Sequence, residues 1–169
     1  MKTKSWRALV AAGVLAALAT GSLPATAAPA EVTCPDVSAA TFTHPTTISN
    51  RYLPLPRGTT FRSEGKTKGH SFVDVQVVTN QTRDLDGVRT VVVEDQIFQD
   101  GSLAEDTKDF FAQDDIGNVW YFGEESTEYD KKGNTSDGGS WHAGIDGEPG
   151  FIMEADPQVG DTYCQENAP

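Results

Sequence analysis

Residues 71–101 read SFVDVQVVTNQTRDLDGVRTVVVEDQIFQDG, and their spacing decides the fold. Val73, Val75 and Val77 alternate with Phe72, Asp74 and Gln76, the period of two that buries one side of a strand and wets the other. After Asp84-Leu85-Asp86-Gly87 the alternation resumes, with Val91, Val93 and Ile97 on one side and Val92, Glu94 and Gln96 on the other. Asp-Gly between two such runs signals a hairpin, because the tight turns that match strand twist need positive φ at their central residues. Asp100-Gly101 repeats the signal, so one antiparallel hairpin leads into the next.

The pattern extends in both directions. Thr60 to Gly65 reads as a short strand, and Leu103 to Gln113 as a longer one closed by Asp114-Asp115-Ile116-Gly117-Asn118. Val119 to Gly123 is the most aromatic run, and Ser126 to Asp130 continues or pairs with it before the turn at Lys131-Lys132-Gly133-Asn134. Turns recur at about 14 to 17 residues, the interval of a meander, and accumulated twist bends a meander of long strands. The expected fold is all-β, an antiparallel meander forming a barrel or strongly curved half-barrel over residues 58–169. Upstream, residues 28–57 carry Pro29, Pro35, Pro45, Pro54 and Pro56 and read as an extended leader segment, with Tyr52, Leu53 and Leu55 packing against the sheet. Downstream, residues 130–150 hold six glycines and read as a loop that buries Trp141 and Ile145, followed by a short strand around Thr162 to Gln165.

Residues 1–27 read as a signal peptide. Lys2, Lys4 and Arg7 precede the apolar run Ala8 to Ala19, and Ala25-Thr26-Ala27 offers a cleavage site. That run falls short of the roughly 20 residues that cross a bilayer, so the expected product is secreted or extracytoplasmic and not membrane-embedded. Processing leaves ten Lys and Arg against 25 Asp and Glu, a net charge of −15, which repels phosphate backbones and excludes nucleic acid as a partner. Cys34 and Cys164, alone in an oxidising compartment, are expected to form a disulfide joining the two ends of the domain.

Several phrases between Asn50 and Glu166 resemble a group of bacterial exported proteins of uncharacterised function. They are Pro54-Leu55-Pro56-Arg57-Gly58-Thr59-Thr60-Phe61, the run Ala112-Gln113-Asp114 through Gly117-Asn118-Val119-Trp120-Tyr121-Phe122-Gly123-Glu124, and Gly139-Ser140-Trp141. The resemblance implies an all-β exported domain and carries no activity with it. It also implies further strands in the group beyond the point where this chain stops, with Cys164 pinning the end here.

Three kinds of chemistry are open to these residues. The acidic series on the two arms around Asp100-Gly101 places Asp95 near Glu105, Asp106 and Asp109, a candidate Ca²⁺ site, because Ca²⁺ accepts six to eight oxygens in loose geometry; the spacing is not that of an EF-hand, and a solvated acidic surface is the plainer expectation. Asp109 and Glu124, beside Trp120 and Tyr121, are candidates for the paired carboxyls of a glycoside hydrolase-like enzyme. Ser140, His142 and Asp146 lack a nucleophile elbow, and no cofactor motif is present. Best supported is an exported binding module for a small apolar, lipid or glycan ligand, using Trp120, Tyr121, Phe122 and Trp141. An envelope structural or interaction protein is a third class, marked by a free edge strand.

Overall fold

The structure is a computed structural model that describes Val32 and residues 34–168, so the signal peptide expected over residues 1–27 lies outside the described residues. Nine strands form: β1 (Thr60–Thr67), β2 (His70–Leu85), β3 (Val88–Gln99), β4 (Ser102–Gln113), β5 (Val119–Tyr129), β6 (Thr135–Asp137), β7 (Trp141–His142), β8 (Glu148–Met153) and β9 (Glu166–Asn167). Their order is β1-β2-β3-β4-β5-β8-β9, with β6 and β7 also paired to β5, an antiparallel meander bent into a half-barrel. Among the described residues the only helical element is a single 3-10 turn, Val37–Ala39, and no helix is long and apolar enough to cross a membrane.

Turn chemistry drives the bend. The first three hairpins close on Lys68-Gly69, Asp86-Gly87 and Asp100-Gly101, and all six residues have positive φ, between 46° and 85°. Such turns carry the twist of the flanking strands, so the twist adds from strand to strand.

Two stretches depart from the expected boundaries. Residues 71–85 form one 16-residue strand beginning at His70, because a bulge between Val78 and Thr82 absorbs the polar interruption. Val119 to Tyr129 is likewise continuous, the register shifting between Asp109 and Phe111 on β4 opposite Phe122-Gly123 on β5. Toward the C-terminus, Thr162 to Gln165 is not a strand, and β9 is the two residues that follow.

The sheet buries carbon on both faces. On one, Val78, Val91, Val93 and Val119 pack with Ile48 and Leu55 of the leader. On the other, Val92, Phe110, Ala112, Trp120 and Phe122 pack with leader residues Val37, Ala40 and Phe42, and Phe42 meets both Trp120 and Phe122 edge-on at 5.8 and 5.9 Å. The leader crosses from one face to the other around the β4–β5 turn. Gln113 N–H donates to Pro45 O, Asp115 N–H to Thr41 O, and Asp115 accepts from Thr43 N–H and Oγ1. Asn50 Nδ2 donates to the carbonyls of Gly117 and Glu154. Asp114 gathers the turn itself, accepting from the backbone of Ile116, Gly117 and Asn118, from Asn118 Nδ2 and from Trp120 Nε1. A Cys34–Cys164 disulfide closes the wrap, with Cα atoms 4.7 Å apart.

In the glycine-rich segment Trp141 is buried as expected and Ile145 is not. Ile145 is 77% exposed, because it occupies the turn between β7 and β8, where Asp146 binds back to His142 N–H and directs the side chain outward.

Candidate carboxyl site

Register places the chemistry. Across one face, Gln76 on β2 stands opposite Asp95 on β3, Asp95 opposite Thr107 on β4, and Thr107 opposite Ser126 on β5. One step along, Val93 stands opposite Asp109, Asp109 opposite Glu124, and Glu124 opposite Trp141 on β7. A polar band therefore crosses four strands beside the valine cluster, on the same face. It deepens from half-buried Asp74, Gln76, Asp95 and Glu105 to buried Asp109 and Glu124, which are 9% and 7% exposed.

Tyr121 joins the deep pair, its hydroxyl 2.8 Å from Asp109 Oδ1 and 2.7 Å from Glu124 Oε2. The ring itself is carbon-packed, stacked on Phe111 at 5.2 Å and edge-on to Trp141 at 5.4 Å. Strict alternation would put Tyr121 and Glu124, three residues apart, on opposite faces. Gly123 restores them to one face. It has φ of 139°, and a Cβ there would lie 2.3 Å from Trp141 O, so only glycine permits both the bulge and the close approach of β7.

Burial dominates the electrostatics. It drives the Asp109 carboxyl well above the usual carboxylate range against the opposing Tyr121 hydrogen bond, and the charges of Asp95, Glu124 and Glu105 push the same way. Asp95 is pushed up to about 7, first by burial and then by the charges of Asp74 and Glu105, while its hydrogen bond from Gln76 pulls down. Tyr121 is raised beyond any working pH by burial and the two carboxyls, so it stays a phenol. Asp74 Oδ1, Asp95 Oδ1 and Trp141 Nε1 are buried polar atoms without a hydrogen-bond partner.

The residues named from the sequence divide accordingly. Trp120, Tyr121, Phe122 and Trp141 are 2, 3, 0 and 1% exposed, with Trp120 and Phe122 on the leader-covered face and Tyr121 on the carboxyl face. All four rings belong to one buried core cluster. Trp120 even spends its N–H on Asp114. Two grooves open elsewhere, one of about 530 Å³ between the leader and the β2–β3 turn, lined by His44 and Arg89 among others, and one of about 240 Å³ around Lys108, Glu125 and Ser140. Neither is lined by the four aromatics. Of the candidate cation ligands, Asp95, Glu105 and Asp109 share a face, but Asp106 points away and accepts from Gln96 Nε2, since neighbours in a strand take opposite sides. Among the described residues no three His, Cys, Asp or Glu side chains are placed to hold a metal ion.

The other face holds a group unsuspected from the sequence. Arg83 lies over the Phe110 ring at 4.9 Å and pairs with Glu125, while His142 stacks on Phe110 at 5.9 Å with Nε2 3.5 Å from Glu125. Its only early signal was a cation two residues before Leu85, in a long strand. Ser140 Oγ is committed to Asp137 and the Ser126 carbonyl, apart from His142. Compared with family models, curated proteins and solved structures, the chain matches none.

Proposed function

We propose that the protein is an extracytoplasmic binding module whose small, mostly apolar ligand seats on the carboxyl face of the half-barrel. The observation that carries this is the buried polar floor, Asp109, Tyr121, Glu124 and the Trp141 N–H, set in a wall of Phe111, Val93 and the Tyr121 ring. Binding sites are built this way, from broad apolar area with a few converging polar groups. The half-buried end at Asp74, Gln76 and Glu105 is the side from which a ligand enters. The leader pattern of residues 1–27 and the disulfide support export, and the lack of a long apolar helix among the described residues is compatible with it.

The Asp109–Glu124 pair also suggests carboxyl catalysis. Tyr121 fills the space between the two groups where a glycosidic oxygen would sit, which favours binding over hydrolysis. Native mass spectrometry of protein from the exported fraction of its host tests the proposal. A bound small molecule, released by unfolding and diminished in Asp109→Ala, is the expected result. Protein of bare polypeptide mass from several growth conditions counts against it.

A further inference from the structure

Among the described residues β1 has one neighbour, β2, and all eight of its residues are exposed, so its outer edge and both of its sides face solvent. The pairing with β2 says which backbone groups that edge presents. Thr60 stands opposite Val77 and Thr67 opposite His70; one step beyond, Val78 N–H donates to Thr59 O and Val78 O accepts from Gly58 N–H. Hydrogen-bonded and non-bonded pairs alternate along an antiparallel ladder, so Phe61, Ser63, Gly65 and Thr67 spend their amides on β2. Thr60, Arg62, Glu64 and Lys66 turn N–H and C=O outward, where no described backbone group meets them.

A row of open peptide groups is a template for another strand, and proteins blunt such edges with proline, bulges or charge. β1 has no proline and an unbroken register, which leaves charge as its guard. Its charges select the partner. Antiparallel pairing of β1 with itself must match outward residues to outward residues, which allows only every second register. One of these sets Arg62 opposite Glu64 twice over, Thr60 opposite Lys66, and Phe61 opposite Gly65. The allowed registers on either side of it set Arg62 against Arg62 or Glu64 against Glu64, and like charges directly opposite destabilise a ladder. Arg62 and Glu64 lie on one side of the strand, already 2.5 Å apart and both well exposed. On the other side Phe61 is 36% exposed, and a Cβ at Gly65 would meet nothing within 4 Å, so the ring of one copy covers the bare glycine of the other, a pairing that stabilises edge strands. Approach through this edge also suits an acidic chain: residues 57–68 hold Arg57, Arg62, Lys66 and Lys68 against Glu64, the reverse of the excess of Asp and Glu elsewhere.

We infer that β1 is an interaction surface for a second copy of this chain, the two β1 strands pairing antiparallel about a two-fold axis at Ser63 so that the two sheets join into one. Ser63 marks the axis because it stands opposite itself when Arg62 stands opposite Glu64. A single strand-to-strand ladder buries less surface than a standard interface, so the dimer is reversible and set by concentration.

The test is analytical ultracentrifugation of exported, disulfide-bonded protein from about 10 µM to about 1 mM, over which the mass is expected to climb reversibly from one chain toward two. Arg62→Glu and Glu64→Arg change exposed side chains only, so the fold stays intact. Each sets like charges opposite one another twice in the dimer and is expected to weaken association at least about tenfold. Mixed in equal amounts the two variants pair with each other, and the double variant Arg62→Glu/Glu64→Arg regains the wild-type association. Amide exchange of ¹⁵N-labelled protein reads the register: the N–H groups of Thr60, Arg62, Glu64 and Lys66 gain protection as concentration rises, while those of Phe61, Ser63 and Gly65 are protected throughout. Wild type that stays a single chain to about 1 mM overturns the inference. So does a dimer that both single reversals leave unchanged, and a single chain carrying a co-purified peptide on this edge gives the strand to a different occupant and overturns it too.

Discussion

Tyr121→Phe deletes one oxygen and nothing else, which makes it the sharpest perturbation of the carboxyl cluster. The ring keeps its stack on Phe111 and its edge contact with Trp141, so the apolar packing is preserved. What goes is the one hydroxyl that serves Asp109 and Glu124, both buried. A hydrogen bond to a charged group contributes about 1.5–3 kcal/mol, and a neutral one about 1. Both contacts are lost here, and local rearrangement of the two carboxyls offsets part of the loss. The expected destabilisation is about 2–4 kcal/mol near pH 7, or a fall in Tm of about 6–12 °C for a chain of this size. Urea unfolding followed by the fluorescence of buried Trp120 and Trp141 measures it. In the Asp109→Asn background the same substitution should cost at least about 1 kcal/mol less, because the two groups are in contact. A loss below about 0.5 kcal/mol in the wild-type background would refute the bridging hydroxyl.

Stability should rise on acidification from pH 8 to about 5, opposite to most proteins. Asp95 has a folded value near 7 against 3.8 unfolded, so its contribution is full below about 4 and is lost as pH rises through 7; Asp95→Asn flattens that slope in urea midpoints, and a midpoint that falls on acidification over this range contradicts it. Gly123→Ala forces a Cβ to 2.3 Å from Trp141 O at a φ of 139°, and is expected to cost more than about 2 kcal/mol or to prevent folding, as read by yield and thermal melting. Cys34→Ser opens a link across 130 residues, worth up to about 5 kcal/mol on the chain-entropy account; melting equal to wild type under oxidising conditions would argue that the leader is held by its hydrogen bonds alone. Trp120→Ala should cost about 3–5 kcal/mol, mostly through its cavity, since Asp114 Oδ2 keeps the Asn118 Nδ2 hydrogen bond when the indole N–H is lost, with any loss of ligand following from unfolding rather than from a missing contact.

How much of this was legible depends on whether the signal was local. Asp86-Gly87 and Asp100-Gly101 place positive φ at the turns by their own chemistry, so the β2–β3–β4 meander follows from short stretches of sequence, and the strand between the two turns runs from Val88 to Gln99. The same alternation correctly separates Tyr121 from Trp120 and Phe122. It does not say what covers each face. The leader buries the Trp120 and Phe122 face, through Phe42 and the Asp115–Thr43 clasp, by contacts between residues 72 to 80 apart in the chain, which no periodicity encodes. For that reason the sequence could not show that Trp120 and Phe122 lie packed beneath Phe42 of the leader.

The carboxyl cluster shows where a local rule needed only one more step. Counting by twos from Trp120 puts Tyr121 and Glu124 on opposite sides, and a phenol bridging two acids is then impossible. Glycine inside a strand, however, signals a bulge, and a bulge advances the count by one. Applying that at Gly123 carries Glu124 to the side of Tyr121 and, through the β4–β5 pairing, to Asp109. The tight contact of Gly123 with Trp141 O shows that the same residue also admits β7, and with it the unpartnered indole N–H. Phase and access thus rest on one missing side chain. If Gly123 serves only the packing of β7, Gly123→Ala should push the β7 backbone away and keep the Tyr121 hydrogen bonds; if the bulge is what holds Glu124 in place, the Gly123→Ala variant loses the slow-exchanging Tyr121 hydroxyl proton that NMR should detect in the wild type.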